Sequence, residues 1–166
     1  MSHNKLFTDF QHGFLEGRSC VTNLLSTLDY WTQVLDDKGA VDCVYLDFQK
    51  AFDSVPHKRL LHKINAYGIH LKWLEDFLIG RVQHVTVNGT ASSKVPVTSG
   101  VPQGSVLGPV MFLIYINDLP ECVSSAVRIF ADDTKMFRRV STIEDCDLLQ
   151  SDIKNLEEWT NKWKMK

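Results

Sequence analysis

From Val106 to Asn117 the chain carries no charged side chain and is almost wholly apolar. Directly in front of it runs Gly100-Val101-Pro102-Gln103-Gly104-Ser105, a stretch too rich in glycine and proline for helix or strand. Such a segment predicts a helix buried on most sides, because it has no polar face to give to water. It is too short to span a membrane, which needs roughly 18–20 apolar residues. Other elements must therefore be layered around it, and 166 residues, 44% of them apolar, suffice for one globular domain.

Those elements follow from spacing. Val21, Leu24, Leu25, Leu28, Trp31 and Leu35 recur at helical intervals after a Ser19 cap and predict an amphipathic helix ending at Asp36-Asp37-Lys38-Gly39. Val41 to Phe48 reads as a buried strand with Asp47 at its far end. Pro56 suits a first helical turn, with Leu60, Leu61 and Ile64 on one face and Gly68 as a left-handed stop. A second helix is expected from Leu71 to Ile79, ended by Gly80. Val82 to Val87 alternates, and Asn88-Gly89 predicts a hairpin whose return arm runs toward Val97, a β-ribbon near the surface. Val127 to Ala131 and Thr134 to Val140 read as two strands with Asp132-Asp133 at their tip. Ser141 to Glu144 resembles a capping box, and Cys146, Leu149, Ile153, Leu156, Trp159 and Trp163 form the apolar face of a last helix. Helices and strands mix without strict alternation, which predicts an α+β fold with helices over one face of a mainly antiparallel sheet.

Composition excludes several classes. Cys20, Cys43, Cys122 and Cys146 form no C-x-x-C pair and have no Cys or His at zinc-ligand spacing, which argues against a disulfide framework and a structural zinc. Met1 to Phe10 lacks the layout of a signal peptide, so the expected location is intracellular, in cytoplasm, nucleus or both. A net charge of −2 gives no general attraction for nucleic acid, so any such role must come from a local site.

Two features invite chemistry: the strand-end Asp47 and the hairpin-tip Asp132 and Asp133. Either alone is ordinary turn chemistry. If the two strands lie side by side, the acids converge and repel one another unless a divalent cation neutralises them. Hard oxygen donors without Cys or His favour Mg²⁺ over zinc, and two such ions suit phosphoryl transfer.

Three blocks in order then match a known family. Val44 to His57, Ser99 to Pro109 and Phe130-Ala131-Asp132-Asp133 resemble motifs A, B and C of reverse transcriptases. The wording of the second block, with Ile116-Asn117-Asp118-Leu119-Pro120 behind it and Gln11-His12-Gly13-Phe14 to Gly17-Arg18-Ser19 ahead of motif A, is similar to the non-LTR retrotransposon branch. The resemblance implies a polymerase palm, an antiparallel sheet with helices packed on one face plus a β-hairpin. It implies two Mg²⁺ ions, with Mn²⁺ as substitute, and an RNA template, a DNA primer and a dNTP as partners. Residue by residue, it makes Asp47 and Asp132 metal ligands, adds the Phe48 carbonyl and gives Asp133 a supporting catalytic role. Phe52 takes the aromatic position under the sugar that excludes a 2′-OH, Gln103 and Gly104 lie against template and nucleotide, and Arg18 and Pro102 contact template or primer. Leu15 and Glu16 stand where relatives often carry basic residues, and Phe130 where other members have Tyr.

By the same resemblance residues 1–40 form a fingers-side segment and helix, 41–140 the palm, and 141–166 the start of a motif D helix. Upstream fingers strands find no match in the first ten residues, and the match runs only part way into motif D. The expectation is a partial reverse transcriptase domain, inactive in isolation. The alternative is a catalytically silent transposon-derived remnant that binds RNA or protein at most. Glycosidases and aspartic proteases, which also use paired acids, leave the Pro102-Gln103-Gly104 loop without a role.

Overall fold

A computed structural model describes residues 6–70 and 72–166. In order it contains α1 (Cys20–Asp36), β1 (Ala40–Leu46), the single turn α2 (Ala51–Ser54), α3 (His57–Ala66), α4 (Lys72–Leu78), four short strands β2 (Val82–Gln83), β3 (Thr86–Val87), β4 (Thr90–Ala91) and β5 (Val95–Pro96), then α5 (Leu107–Ile116), β6 (Ala126–Phe130), β7 (Asp133–Val140) and α6 (Ile143–Trp163). The expected helix start at Leu71 lies outside the described residues. Among these residues no helix is long and apolar enough to cross a membrane.

The central sheet is antiparallel throughout, in the order β1-β7-β6. The apolar segment forms α5 as expected, with Met111 to Ile116 all buried. It packs with Leu60 and Ile64 of α3, Met136 of β7, and Leu149, Leu156, Trp159 and Trp163 of α6 in one core. Asn88-Gly89 forms the turn of the exposed ribbon, with Val87 opposite Thr90. The α+β architecture fits a reverse transcriptase palm.

Several local readings are corrected. β1 is an edge strand with no fully buried residue, because only β7 flanks it, and it stops at Leu46. One helix, α1, also covers the second face of the sheet. Neighbouring residues of β7 point to opposite faces, and while Met136 enters the main core, Phe137 meets Tyr30 and Trp31 of α1 at ring-centroid distances of 5.1 and 6.0 Å.

The largest difference is the rotation of α1. Its buried residues are Asn23, Thr27 and Val34, while Val21, Leu24, Leu25, Leu28 and Leu35 are exposed. Polar partners explain this orientation. The Asn23 amide donates to the Ile129 carbonyl at 3.1 Å and Arg128 Nε to Ser26 Oγ at 2.9 Å, so a hydrogen-bonding face is turned to β6. At the other end the capping box of α6 is one residue later than expected, formed by Thr142 and Asp145, and Cys146 is exposed.

Candidate active site

The ladder from Ala40↔Val140 to Leu46↔Thr134 determines where Asp47 emerges. It leaves the sheet one residue past the last pair, beside the start of β7. Phe130 pairs with Asp133, so the hairpin turn consists of Ala131 and Asp132 rather than Asp132 and Asp133. Two-residue hairpins require left-handed backbone, and Ala131 supplies it with φ 58°. Asp47 and Asp133 are exposed and Asp132 half-buried. Burial lifts the Asp132 carboxyl above its ordinary range, and repulsion from Asp133 and Asp47 adds to this against a backbone hydrogen bond.

Three acids in one metal site would be more than the geometry supplies. Among the described residues no three His, Cys, Asp or Glu side chains stand close enough to hold one ion. Asp47 and Asp132 nevertheless suit Mg²⁺, which commonly takes one or two carboxylates and completes its shell with water and substrate phosphates. None of the three aspartates is in an ion pair among the described residues, so their mutual repulsion is not already cancelled by a bonded cation. The Phe48 side chain is buried in the core, so only its backbone can serve as a ligand.

The second predicted block is fastened to the first. Gly100 N donates to Val55 O and Val101 N to Phe52 O, both at 2.8 Å, and Ser99 Oγ donates to Asp53 O at 2.8 Å. Gly100 takes φ 92°, and a Cβ there would stand 2.9 Å from Asp53 Cα. The exposed Gln103 donates from Nε2 to Asp53 Oδ1 at 2.7 Å, and Gly104 takes φ 82° with open space around it. Pro102 is buried, and its carbonyl accepts from Ser105 Oγ at 2.7 Å. Phe52 is half-buried and stacks on Phe112 of α5 with centroids 4.2 Å apart, and it makes an edge-type contact with Phe14 at 6.2 Å. Phe52, Gln103 and Gly104 thus belong to one assembly bridging α2 and the loop before α5.

Arg18 pairs its Nη2 with Asp9 Oδ1 at 3.0 Å. Other residues escaped the sequence reading. Lys50 and Arg81 line a cleft of about 430 Å³ together with Asp53, Gln83, Ser99 and Gln103. Arg81 lies in the ribbon region far from any motif, so no local signal could have paired it with Lys50. His57, buried, donates from Nε2 to Gly100 O at 2.9 Å and secures the same loop. Its position just after Pro56 in the first block was the available sign.

Comparison with known proteins identifies the family. Residues 1–166 match the family of reverse transcriptases (RNA-dependent DNA polymerases). The chain is 29% identical over 181 residues to the probable RNA-directed DNA polymerase from transposon BS of Drosophila melanogaster, covering 100% of this chain and 20% of that protein. It is 31% identical over 173 residues to the RNA-directed DNA polymerase from mobile element jockey of the same fly, covering 98% and 19%. With the probable polymerase from transposon X-element it shares 31% over 163 residues, covering 93% and 18%. The chain thus spans about a fifth of the length of these relatives. An antiparallel sheet ending in Asp47 and Asp132, a glycine-rich loop bound back onto Asp53, and a match along its whole length together mean that the chain belongs to the reverse transcriptase family, on its non-LTR retrotransposon branch.

Proposed function

We propose that this chain is the palm of an RNA-directed DNA polymerase, in which a primer 3′-OH attacks the α-phosphate of a dNTP and pyrophosphate leaves. The observation that carries this reading is the β1–β7 register, which sets Asp47 beside the Ala131-Asp132 turn. Asp47 and Asp132 hold the divalent cations with the Phe48 backbone carbonyl, and Asp133 supports the site's negative field. When bound, Mg²⁺ or Mn²⁺ supplies Lewis-acid activation of the hydroxyl and neutralises charge on the triphosphate.

The remaining residues position substrates. Phe52, braced by Phe112, presents a rigid ring to the sugar, and a 2′-OH meets that ring. Gln103, held by Asp53, and Gly104, without a side chain, form the surface for template and base. Lys50 and Arg81 give the adjoining cleft two cations for phosphates, a local answer to the net charge of −2. Residues 41–140 make up this palm, 1–40 its fingers side, and 141–166 the start of motif D.

Primer extension on an RNA template by the full-length polypeptide tests the reading. Asp47→Asn and Asp132→Asn are each expected to reduce extension to background. Synthesis that survives both substitutions overturns the assignment. A parent protein without synthesis leaves the silent remnant as the better description.

A further inference from the structure

Asp132 is presented by a turn that its own sequence does not favour. Ala131 is buried and occupies the left-handed region at φ 58°, where an alanine has neither the freedom of glycine nor the polar side chain of asparagine. Something outside the hairpin has to hold it. That support comes from a segment more than a hundred residues away in the chain. Phe10 to His12 lie along β6 like a short parallel strand, with Ile129 N donating to Phe10 O at 2.9 Å and His12 N to Ile129 O at 2.8 Å.

Gln11, only 2% exposed, then reaches the turn itself. Its Oε1 accepts from Ala131 N at 2.8 Å, and its Nε2 donates to Ala131 O at 3.1 Å. Both backbone groups of the strained residue are thus satisfied by one amide. The same Oε1 accepts from Gly13 N at 2.7 Å, which fixes the side chain's orientation. Gly13 packs so closely that a Cβ there would stand 2.4 Å from Ala131 N. His12 anchors the segment to α1 through Nδ1 and Thr22 Oγ1, 2.9 Å apart.

We propose that Gln11 is a positioning residue for the acid-bearing turn, clamping Ala131 in its left-handed conformation so that Asp132 faces Asp47. The inference rests on the reading of Asp47 and Asp132 as metal-holding acids. Only a side chain that accepts and donates at once fits this position. A glutamate of the same shape keeps the bonds to the two N–H groups but sets a carboxylate oxygen against the Ala131 carbonyl. A methionine keeps most of the volume and loses all three bonds.

The test uses chain 1–166 with Mn²⁺ as probe, its binding followed by electron paramagnetic resonance, and Ala131 followed by its amide to Hα coupling in NMR. Asp132→Asn serves as the control for the site. Gln11→Glu and Gln11→Met are expected to weaken Mn²⁺ binding about 10-fold or more, the range for groups that orient metal-bound residues. They are also expected to shift the Ala131 coupling away from its left-handed value, while circular dichroism shows a retained fold. Unchanged Mn²⁺ affinity and unchanged Ala131 coupling in both Gln11 variants, with affinity lost in Asp132→Asn, overturn the role of Gln11 alone. If Asp132→Asn binds Mn²⁺ as well as the parent, the metal site is wrong and the proposal falls with it. Should both Gln11 variants fail to fold, Gly13→Ala repeats the test by displacing Ala131 directly, with the same two readouts.

Discussion

The Lys63 ammonium lies 3.8 Å from the centroid of the Trp163 ring, with the rings of Trp159 and Tyr115 at 4.9 and 5.0 Å. It also donates to Asp118 Oδ1, which accepts in turn from Trp159 Nε1 at 3.1 Å, and to the Tyr115 carbonyl. This contact ties α3 to α5 and α6, and so holds the last helix against the layer that carries the site. Cation–π attraction of this kind is strongest where water is excluded.

That burial has a measurable consequence for pH. Desolvation lowers the Lys63 pKa to about 8, against the opposing pull of Asp118. Between that value and the ordinary lysine range the unfolded chain binds more protons than the folded one, so the Lys63 contribution to stability rises with pH across the window. Below about pH 8 both states are charged there and the slope vanishes. Urea midpoints at pH 7.5 and 9.5 are expected to rise more steeply in the parent than in Lys63→Met. An identical slope in the two proteins means that the ammonium is not buried as described.

Asp132 carries the opposite sign. Its carboxyl is raised by burial and by Asp133 and Asp47, so the folded state holds its proton more tightly. This destabilises the fold as pH climbs above the ordinary carboxylate pKa and leaves the charged form strained at neutrality. In EDTA at pH 7, Asp132→Asn should therefore melt at or above the parent's Tm. Millimolar Mg²⁺ should raise the parent's Tm, following RT ln(1 + [L]/Kd), or about 1.4 kcal/mol at ten times Kd. The variant should not respond. Equal Mg²⁺ responses count against the site.

How much of this was legible in the sequence depends on which force decides each element. α5 was plain because an uncharged apolar run has only one place to go, and Asn88-Gly89 because its turn chemistry is local. The acids stand out at a strand end and a hairpin tip, and again in the motif order, but the turn lies one residue earlier than the spacing predicts, since nothing in Ala131 itself announces φ 58°. α1 was read with the wrong face inward. Periodicity assigns burial to leucines, whereas the tertiary demand came from the Ile129 carbonyl, met by Asn23. Such long-range polar pairing, like that of Gln11 with Ala131, leaves no periodic trace.

Phe52 packs against Phe112, and on the proposed reading it also sets sugar specificity; the two separate by substitution. Its ring is half-buried against Phe112, so Phe52→Ala is expected to cost about 2–3 kcal/mol in the chain, below the 3–5 typical of fully buried rings. On the proposed reading, in a polymerase carrying this domain, the same change is expected to open space at the sugar without altering Asp47 or Asp132. Incorporation of ribonucleotides relative to dNTPs should rise at least 10-fold. An unchanged ratio shows that the ring faces only the core.

The loop before α5 and the first turn of that helix offer the last test, because their glycines are constrained in different ways. At Gly108 an added Cβ would meet Pro102 O at 2.4 Å, a backbone atom that cannot swing aside. At Gly100 the obstacle is Asp53 Cα at 2.9 Å, combined with φ 92°. Gly104, at φ 82°, has nothing within 4 Å and carries the backbone cost alone. Gly104→Ala should thus cost about 1 kcal/mol, in line with left-handed backbone alone. Gly100→Ala and Gly108→Ala should each cost more, about 2–4 kcal/mol, by prising the loop from Asp53 or from the start of α5. Denaturant melts of the three variants check the order. A Gly104→Ala variant as damaged as the other two shows that the loop is packed against something at its tip, contrary to the open space around that residue.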